Sequence, residues 1–142
     1  MPGIRKRRFQ IKQRQKRREP RKFGIKIKSL IRQTMRIVIK MRKLGDEKQK
    51  VSDKEVEEII RKAKQIISQS YELVFKINDC EIQLGRIEAA KLRHAALRPI
   101  GSIPRVIEYY TFYTNDSRFD EFFKEKKATY QKLKEKIPGK KS

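Results

Sequence analysis

The spacing of apolar residues along this chain is typical of helices that bury one face. In the first third, apolar positions recur every three or four residues from Phe23 to Met41, and basic residues occupy the opposite side. Pro20 suits the first position of a helix, and Gly45 suits a C-terminal cap. We therefore predict one amphipathic helix over residues 20–44, with one face in the core and one cationic face outside.

A capping box marks the start of a second helix. Ser52 stands three residues before Glu55, so the hydroxyl of the first can accept a hydrogen bond from the backbone N–H of the second. Apolar residues then follow at helical spacing as far as Ile77 or Leu84, where Gly85 can end the helix. The pattern predicts a long helix that packs against the first.

A third and shorter helix is expected to follow and to end at Pro99, because proline disfavours the continuation of a helix. Its small residues, such as Ala89 and Ala96, permit close packing. Three helices with short connections and facing apolar stripes predict an antiparallel bundle over residues 20–98.

The residues after this bundle, 99–142, are expected to form an added C-terminal extension. Residues 100–104 contain Gly, Ser and Pro and are predicted to be a linker. Residues 106–113 are aromatic and β-branched, which favours a short strand or one or two turns of helix. A last helix is predicted over residues 117–136. The predicted fold class is all-α: a three-helix antiparallel bundle with a basic N-terminal extension, residues 1–19, and an added C-terminal helix.

The aromatic strip within residues 106–113 has two interpretations. Aromatic side chains in basic surroundings can stack on unpaired bases. The alternative, which we favour, is that the strip packs on its own bundle or on a neighbouring protein, because Arg105 is the only base close to it in sequence. The C-terminal extension is then a protein-facing element that RNA binding does not need.

Positive charge is concentrated at the start of the chain. The protein has 39 Lys and Arg against 17 Asp and Glu, a formal net charge of +22. Residues 1–43 hold 18 of these bases and one acid, so about three-quarters of the net charge lies in the first third. A segment with so few acids repels itself and needs an anionic partner. We therefore predict nucleic acid as that partner, and we expect residues 1–19 to be unstructured until they bind RNA.

Little in the composition favours catalysis or a metal site. The chain has one Cys and one His, which excludes a disulfide framework within the chain and a four-thiolate zinc site. It has no phosphate-binding glycine loop, no nucleophile elbow and no apolar run of membrane-spanning length. Cys80, between two acids, is expected to be a partly buried structural thiol. The sequence predicts no enzyme activity, no metal, no cofactor, no small-molecule substrate and no membrane partner.

Several short motifs occur in a set order along residues 5–98. Residues 28–34 read KSLIRQT, a Lys-Ser-x-x-Arg-Thr pattern with one extra residue before the Thr, and residues 45–46 read GD at the first interhelical loop. Residues 79–87 fit Asp-x5-Gly-x-Ile, and residues 89–91 read AAK. In their order and spacing these motifs resemble those of the bacterial-type small-subunit ribosomal protein S-twenty family.

The resemblance implies a three-helix bundle whose basic start binds small-subunit ribosomal RNA. The function it implies is that of a structural constituent of the small subunit, which stabilises assembly beside neighbouring small-subunit ribosomal proteins. The C-terminal 44 residues have no counterpart in the compact bacterial form. This extension indicates an organellar member, with the plastid ribosome as the expected location and the bacterial cytoplasm or the mitochondrion as alternatives.

The candidate RNA-binding residues lie in the basic tail, on the cationic side of the first helix and in the third helix. His94 has no second metal ligand near it in sequence, so we expect it to meet phosphate, base or solvent. The candidates are Arg5, Lys6, Arg7, Arg8, Lys12, Arg14, Lys16, Arg17, Arg18, Arg21, Lys22, Lys28, Ser29, Arg32, Arg36, Lys40, Lys91, Arg93 and His94.

Two other functions stay open at this point. One is a nucleic-acid-binding or chromatin protein that does not reside in a ribosome. The other is a protein-interaction adaptor, in which the last helix holds the partner and the basic start anchors the chain on RNA.

Overall fold

The computed structural model of the protein describes the backbone of residues 2–125 and the side chains of residues 21–125. This part of the chain contains helices and no strand, which confirms the predicted all-α fold class. Residues 120–125 are helical, and the rest of the predicted last helix lies outside the described residues. The elements are α1 (Pro2–Asp46), α2 (Asp53–Asp79), α3 (Glu81–Leu84), α4 (Arg86–Thr114) and a 3₁₀ turn (Ser117–Phe119).

The three long helices form an up-down-up bundle. Of the other two long helices, α1 packs more extensively on α4 than on α2. α2 runs antiparallel to α1, since Lys40 near the end of α1 forms an ion pair with Glu55 in the first turn of α2. α1 and α4 run parallel, since Gly45 lies against Tyr109 and Tyr110 near the C-terminal end of α4. The predicted bundle is confirmed, and α3 forms the corner between α2 and α4.

α1 begins earlier than predicted. The expected start at Pro20 is wrong, because the helix runs without a break from Pro2 to Asp46. Residues 2–19, which we expected to be unstructured in the free chain, therefore have a helical backbone. Lys, Arg and Gln dominate this segment and are good helix formers, so the one hydrogen bond lost at Pro20 does not stop the helix.

Gly45 is not the cap of α1, contrary to the prediction. The helix ends in a Schellman motif about one turn later, where Lys48 takes the left-handed conformation with φ 53°. The Lys48 N–H donates to the Gly45 carbonyl at 3.1 Å, and the Gln49 N–H donates to the Leu44 carbonyl at 3.0 Å. Gly45 instead allows α4 to approach closely, because a Cβ at this position would lie 3.1 Å from the Tyr109 ring.

The elements from α2 to the corner follow the prediction. Ser52 is the N-cap of α2, and its Oγ accepts from the Glu55 N–H at 3.3 Å. The helix ends at Asp79, and Gly85 takes φ 88° between α3 and α4, a conformation that favours glycine. Cys80 is partly buried, as expected of a structural thiol.

α4 is the largest departure from the prediction, because it continues across both Pro99 and Pro104. The predicted helix end at Pro99 is wrong, as are the linker over residues 100–104 and the strand alternative for residues 106–113. Both prolines are fully buried, and this apolar burial outweighs the two backbone hydrogen bonds that they cannot donate. The other buried positions follow helical spacing throughout; they include Ala96, Ile100, Ile103, Ile107, Tyr110 and Thr114.

One hydrophobic core joins the long helices to the segment after α4. Ile103 and Ile107 have no exposed surface, so residues that we expected to belong to a dispensable extension supply the centre of the core. Phe119 and Phe122 are also buried, which shows that these aromatic side chains pack on their own bundle. The core therefore extends across the boundary predicted after residue 98.

A polar cluster around the buried Asp116 closes the end of the bundle where the C-terminus of α4 meets the start of α2. We call it the Asp116 cluster; it consists of Tyr110, Asp116, Arg118, Asp53 and the backbone of Val51. The Tyr110 hydroxyl donates to Asp116 Oδ2 at 2.6 Å and accepts from the Val51 N–H at 3.1 Å. Arg118 donates to both Asp116 oxygens, to the Val51 carbonyl and to Asp53 Oδ1. One guanidinium thereby joins the segment after α4 to the start of α2.

The ionisation of the Asp116 cluster follows from these bonds. Asp116 is only 2% exposed, yet the hydrogen bonds from Arg118 lower its pKa from the ordinary 3.8 to about 2. The same pairing raises the pKa of Arg118. Burial, together with the bond to the carboxylate, raises the pKa of the Tyr110 hydroxyl. The cluster is therefore a charged pair with its buried oxygens satisfied, which is the condition under which buried charge is tolerated.

Candidate nucleic-acid interface

The outer side of α1 carries exposed bases, as predicted. The opposite side of the helix is buried at Phe23, Ile27, Leu30 and Ile37, which confirms the division between core and solvent faces. The Ser29 hydroxyl also lies outside and accepts from Gln33 Nε2 at 3.2 Å. We call the exposed set the basic face; it consists of Arg21, Lys22, Lys28, Ser29, Arg32, Arg36 and Lys40.

The central bases of the basic face have no internal counter-charge. Within residues 21–125, no carboxylate lies within 4.0 Å of the charged nitrogens of Lys28, Arg32 or Arg36. Lys40 is the exception, with an exposed contact of 3.6 Å to Glu55. Exposed pairs of this kind are weak. The basic face is therefore available to an external anion.

A groove of about 490 Å³ runs between α1 and α2 and contains part of the basic face. We call it the α1–α2 groove. Neutral polar side chains, among them Gln33 and Gln65, contribute to its walls. Its charged lining is five bases and two acids: Arg32, Arg36, Lys40, Arg61, Lys62, Glu55 and Glu58.

The two acids in the α1–α2 groove are already paired. Glu58 accepts from Lys62 at 3.1 Å, and this hydrogen bond lowers the pKa of the Glu58 carboxyl. Glu55 faces Lys40. Among the charged side chains that line the groove, Arg32, Arg36 and Arg61 therefore lack a carboxylate partner within the described side chains. Bases thus outnumber acids in the groove by five to two, and three guanidinium groups have no carboxylate partner among the described side chains.

The cationic groove continues along α1 toward Lys26 and along α2 toward Lys76. A second depression of about 260 Å³ shares Ser29 and Gln33 with the first. It extends to Lys26 on α1 and Lys76 on α2, and its acidic lining residue is Glu72. The two depressions form one polar track along the α1–α2 side of the molecule.

Arg61 and Lys62 are members of this interface that the sequence analysis missed. Residues 44–98 are almost neutral as a block, so charge alone did not single these bases out. A finer signal was present, since Arg61, Gln65 and Gln69 follow one another at four-residue spacing and share one side of α2. Only the packing of α2 beside α1 shows that this side faces the basic face.

The remaining candidates have different surroundings. Arg93 is partly buried, and its guanidinium bonds Asn78 Oδ1 at 2.9 Å and Glu81 Oε1 at 3.4 Å, so it fastens α4 to the corner. Lys91 and His94 are exposed on α4 and do not line the α1–α2 groove. The side chains of the tail candidates lie outside the described residues; these are Arg5, Lys6, Arg7, Arg8, Lys12, Arg14, Lys16, Arg17 and Arg18.

Two further chemical possibilities can be compared with the described residues. No group of three or more His, Cys, Asp or Glu side chains within them could hold a metal ion. No helix over the same stretch is long and apolar enough to cross a bilayer.

Comparison of the chain with protein-family models, with curated proteins and with solved structures finds no match. The resemblance to the S-twenty family therefore rests on the motifs quoted above and stays a prediction.

Proposed function

We propose that the protein binds RNA through the basic face and the α1–α2 groove, as a structural constituent of the small ribosomal subunit. On this proposal it contacts small-subunit ribosomal RNA and stabilises its assembly. The observation that carries the proposal is the set of cations, Arg32, Arg36 and Arg61, that line an open groove without a carboxylate partner within the described side chains.

The geometry suits a phosphate backbone. Bases four residues apart on α1 stand about 6 Å apart along the helix axis, so several phosphates of one strand can be neutralised together. Each neutralised phosphate releases condensed counterions, which supplies affinity without base readout. Bidentate hydrogen bonds from the arginine guanidinium groups, and hydrogen bonds from amide side chains such as Gln33 and Gln65, then fix the position of the RNA backbone.

The core fixes this surface before RNA arrives. Leu30, Thr34, Ile37 and Met41 hold the inner side of α1 against the bundle, so the outer bases sit on a rigid element. A pre-organised surface loses little conformational entropy on binding. This arrangement supports an assembly role, in which a protein holds RNA segments at fixed positions.

The length of α1 supports contact with an extended RNA. At 45 residues it spans about 68 Å, roughly 27 Å more than the 27-residue α2. The additional length coincides with the most basic stretch of the sequence. Together with the motifs that resemble the S-twenty family, this favours a ribosomal RNA scaffold as the partner.

The proposal is tested by reversing charge on the basic face. The triple variant is Lys28→Glu, Arg32→Glu, Arg36→Glu. We expect it to bind small-subunit ribosomal RNA on the order of a hundredfold more weakly at 0.1 M salt, because about three phosphate contacts and the counterion release that accompanies them are lost. Its plot of log Kd against log salt should be flatter by about three. Far-ultraviolet circular dichroism should show unchanged helicity, because all three side chains are exposed.

A matched variant controls for net charge. Lys50→Glu, Lys54→Glu, Lys124→Glu changes the charge equally at exposed positions outside the groove and should lose much less affinity. Equal losses in the two variants would contradict the proposed interface. Co-sedimentation tests the ribosomal part: the protein should remain with small subunits at high salt in near-stoichiometric amount, whereas a free nucleic-acid binder washes off.

A further inference from the structure

Three aromatic side chains on the outer side of α4 are left out of the core. Phe112 is 75% exposed and Tyr113 is 42% exposed, whereas the neighbouring Tyr110 is fully buried. Tyr109 is partly exposed and lies with its ring centroid 4.7 Å from that of Tyr113. We call Tyr109, Phe112 and Tyr113 the aromatic platform. The predicted packing of the aromatic strip on its own bundle is therefore confirmed for Tyr110, whereas Phe112 does not pack on the described part of the bundle.

The rings of the platform are held by one another and by α1. The Tyr113 ring stands at 56° to Tyr109, and the Phe112 ring lies edge-on to Tyr113 at 87° and 5.1 Å. The Tyr109 hydroxyl donates to Asp46 Oδ1, and this bond raises the pKa of the Tyr109 phenol. The platform is thus ordered by specific contacts, and the Asp46 carboxylate is engaged by the same bond.

Two arginines border the platform. The Arg42 guanidinium carbon lies 5.7 Å from the Tyr109 ring centroid, within cation–π distance. Arg105 is exposed on α4 one turn before Tyr109. Both arginines line a groove of about 300 Å³ between α1 and α4, which also contains Met35 and Tyr109. The surface combines flat apolar rings with two guanidinium groups that can donate hydrogen bonds to phosphate.

We infer that the aromatic platform stacks an unpaired RNA base, while Arg42 and Arg105 hold the phosphates that flank it. The inference rests on the proposed function, because it adds a second contact to the same RNA-binding protein. A base offers a π-face to Phe112 or Tyr113, and its nucleotide supplies the anions that the arginines need. An apolar protein segment on this surface would cover the rings but would bury two guanidiniums without a partner, which is unfavourable.

The test measures the contribution of one unpaired base. The full chain is titrated against three RNA hairpins: one fully paired, one carrying a single unpaired purine, and one in which that purine is replaced by an abasic ribose. We expect the wild-type protein to prefer the purine hairpin over the abasic one by about fivefold to a hundredfold, the range measured for base–aromatic stacking. Ultraviolet crosslinking should attach the purine hairpin to the peptide that contains the platform.

Substitutions locate that preference. Phe112→Ala with Tyr113→Ala should abolish the preference for the purine and leave the salt dependence of binding unchanged, because no phosphate contact is removed. Phe112→Tyr with Tyr113→Phe keeps both rings and should keep the preference. Ile82→Ala with Ile87→Ala removes exposed apolar surface on α3 and at the start of α4, far along the chain from the platform, and should have no effect. Circular dichroism checks that each variant remains helical.

The outcomes separate the two proposals. If the wild-type protein binds all three hairpins equally, with steep salt dependence, the stacking inference is overturned and the proposed function stands. If it binds no RNA, the proposed function fails as well. If the double alanine variant keeps the purine preference but no longer co-sediments with small subunits, the platform docks a protein and the inference is overturned.

Discussion

The two sides of α1 are packed in opposite ways. Toward α2 the helices separate along a polar groove, and Arg32 and Arg36 stand in it without a carboxylate within 4.0 Å among the described residues. Toward α4 the helices close until Gly45 touches Tyr109 and Tyr110, and the Asp116 cluster fastens the same end. The comparison shows that stability and charge presentation lie in different residues of one helix, so each can be altered without the other.

The largest expected effect comes from placing a negative charge on the buried face of α1, compared with the same charge on its exposed face. Ile37→Asp puts a carboxylate at a position that is 8% exposed and should destabilise the fold by about 4 kcal/mol or more, which unfolds a bundle of ordinary stability. Arg36→Asp changes the adjacent exposed residue and should leave the thermal midpoint within a few degrees. Thermal unfolding followed by circular dichroism compares the two, and similar midpoints would refute the assignment of faces.

A substitution of Arg118 tests how much the Asp116 cluster contributes to stability. Arg118→Ala leaves Asp116 buried without its main partner, and we expect a loss of about 3 kcal/mol in the free energy of unfolding, measured by urea titration. Asp53→Asn is the control, because it removes only the charge of an Arg118 partner whose side chain is 94% exposed, and it should cost less than about 1 kcal/mol. RNA affinity of the folded Arg118 variant should be unchanged, since Arg118 does not line the α1–α2 groove. A cost for Arg118→Ala no greater than that of the control would mean that the cluster contributes little.

The same cluster predicts a pH dependence of stability. The pKa of Asp116 is about 2 in the folded protein and near 3.8 ordinarily, so the folded state binds the proton less well than the unfolded state. The stabilisation is therefore fully present above about pH 4 and is lost as the pH falls through 2, a change of about 2 kcal/mol. Asp116→Asn should remove this component of the acid transition in urea unfolding between pH 5 and pH 2. An unaltered acid transition in the variant would contradict the assignment.

The smallest expected effect concerns α2. Ser70 is fully buried, and its Oγ has no hydrogen-bond partner among the described residues. Ser70→Ala should stabilise the protein by about 1 kcal/mol, because it removes an unsatisfied hydroxyl and improves helix propensity. Ser68→Ala, at an exposed position of the same helix, should gain only the propensity part, about 0.5 kcal/mol. Chemical denaturation of the two variants under the same conditions checks the difference, and destabilisation at Ser70 would show that the hydroxyl is satisfied in solution.

Local signals predicted the faces of α1 and the start of α2 correctly. The division between Ile37 and Arg36 follows from helical spacing alone, and the Ser52 cap depends on residues three positions apart. The proline signals gave the wrong result, because the cost of Pro99 and Pro104 is local whereas the gain from burying their neighbours comes from α1 and α2. The uninterrupted spacing across these prolines was the better guide.

The sequence predicted the α1 side of the candidate site and missed the α2 side. Lys28, Arg32 and Arg36 were found from the sequence because a run of bases without acids is visible in one segment. Arg61 on α2 was not, because it joins them only across the groove. The sequence raised base stacking as one interpretation of the aromatic strip but did not show which rings stay exposed, since the neighbouring residues Tyr109 and Tyr110 differ in burial on the same helix.

The sequence by itself determined that the chain is helical, which faces of α1 and α2 are buried, and where charge is concentrated, since each depends on residues within one or two turns of one another. The tertiary structure decided which bases share a groove, which aromatic rings stay exposed, and how the bundle is closed. The bond between Val51 and Tyr110 joins residues 59 positions apart. No periodicity within a single helix encodes such a contact, because it depends on the angle and distance at which separate helices pack, and these are set by the summed burial of many side chains.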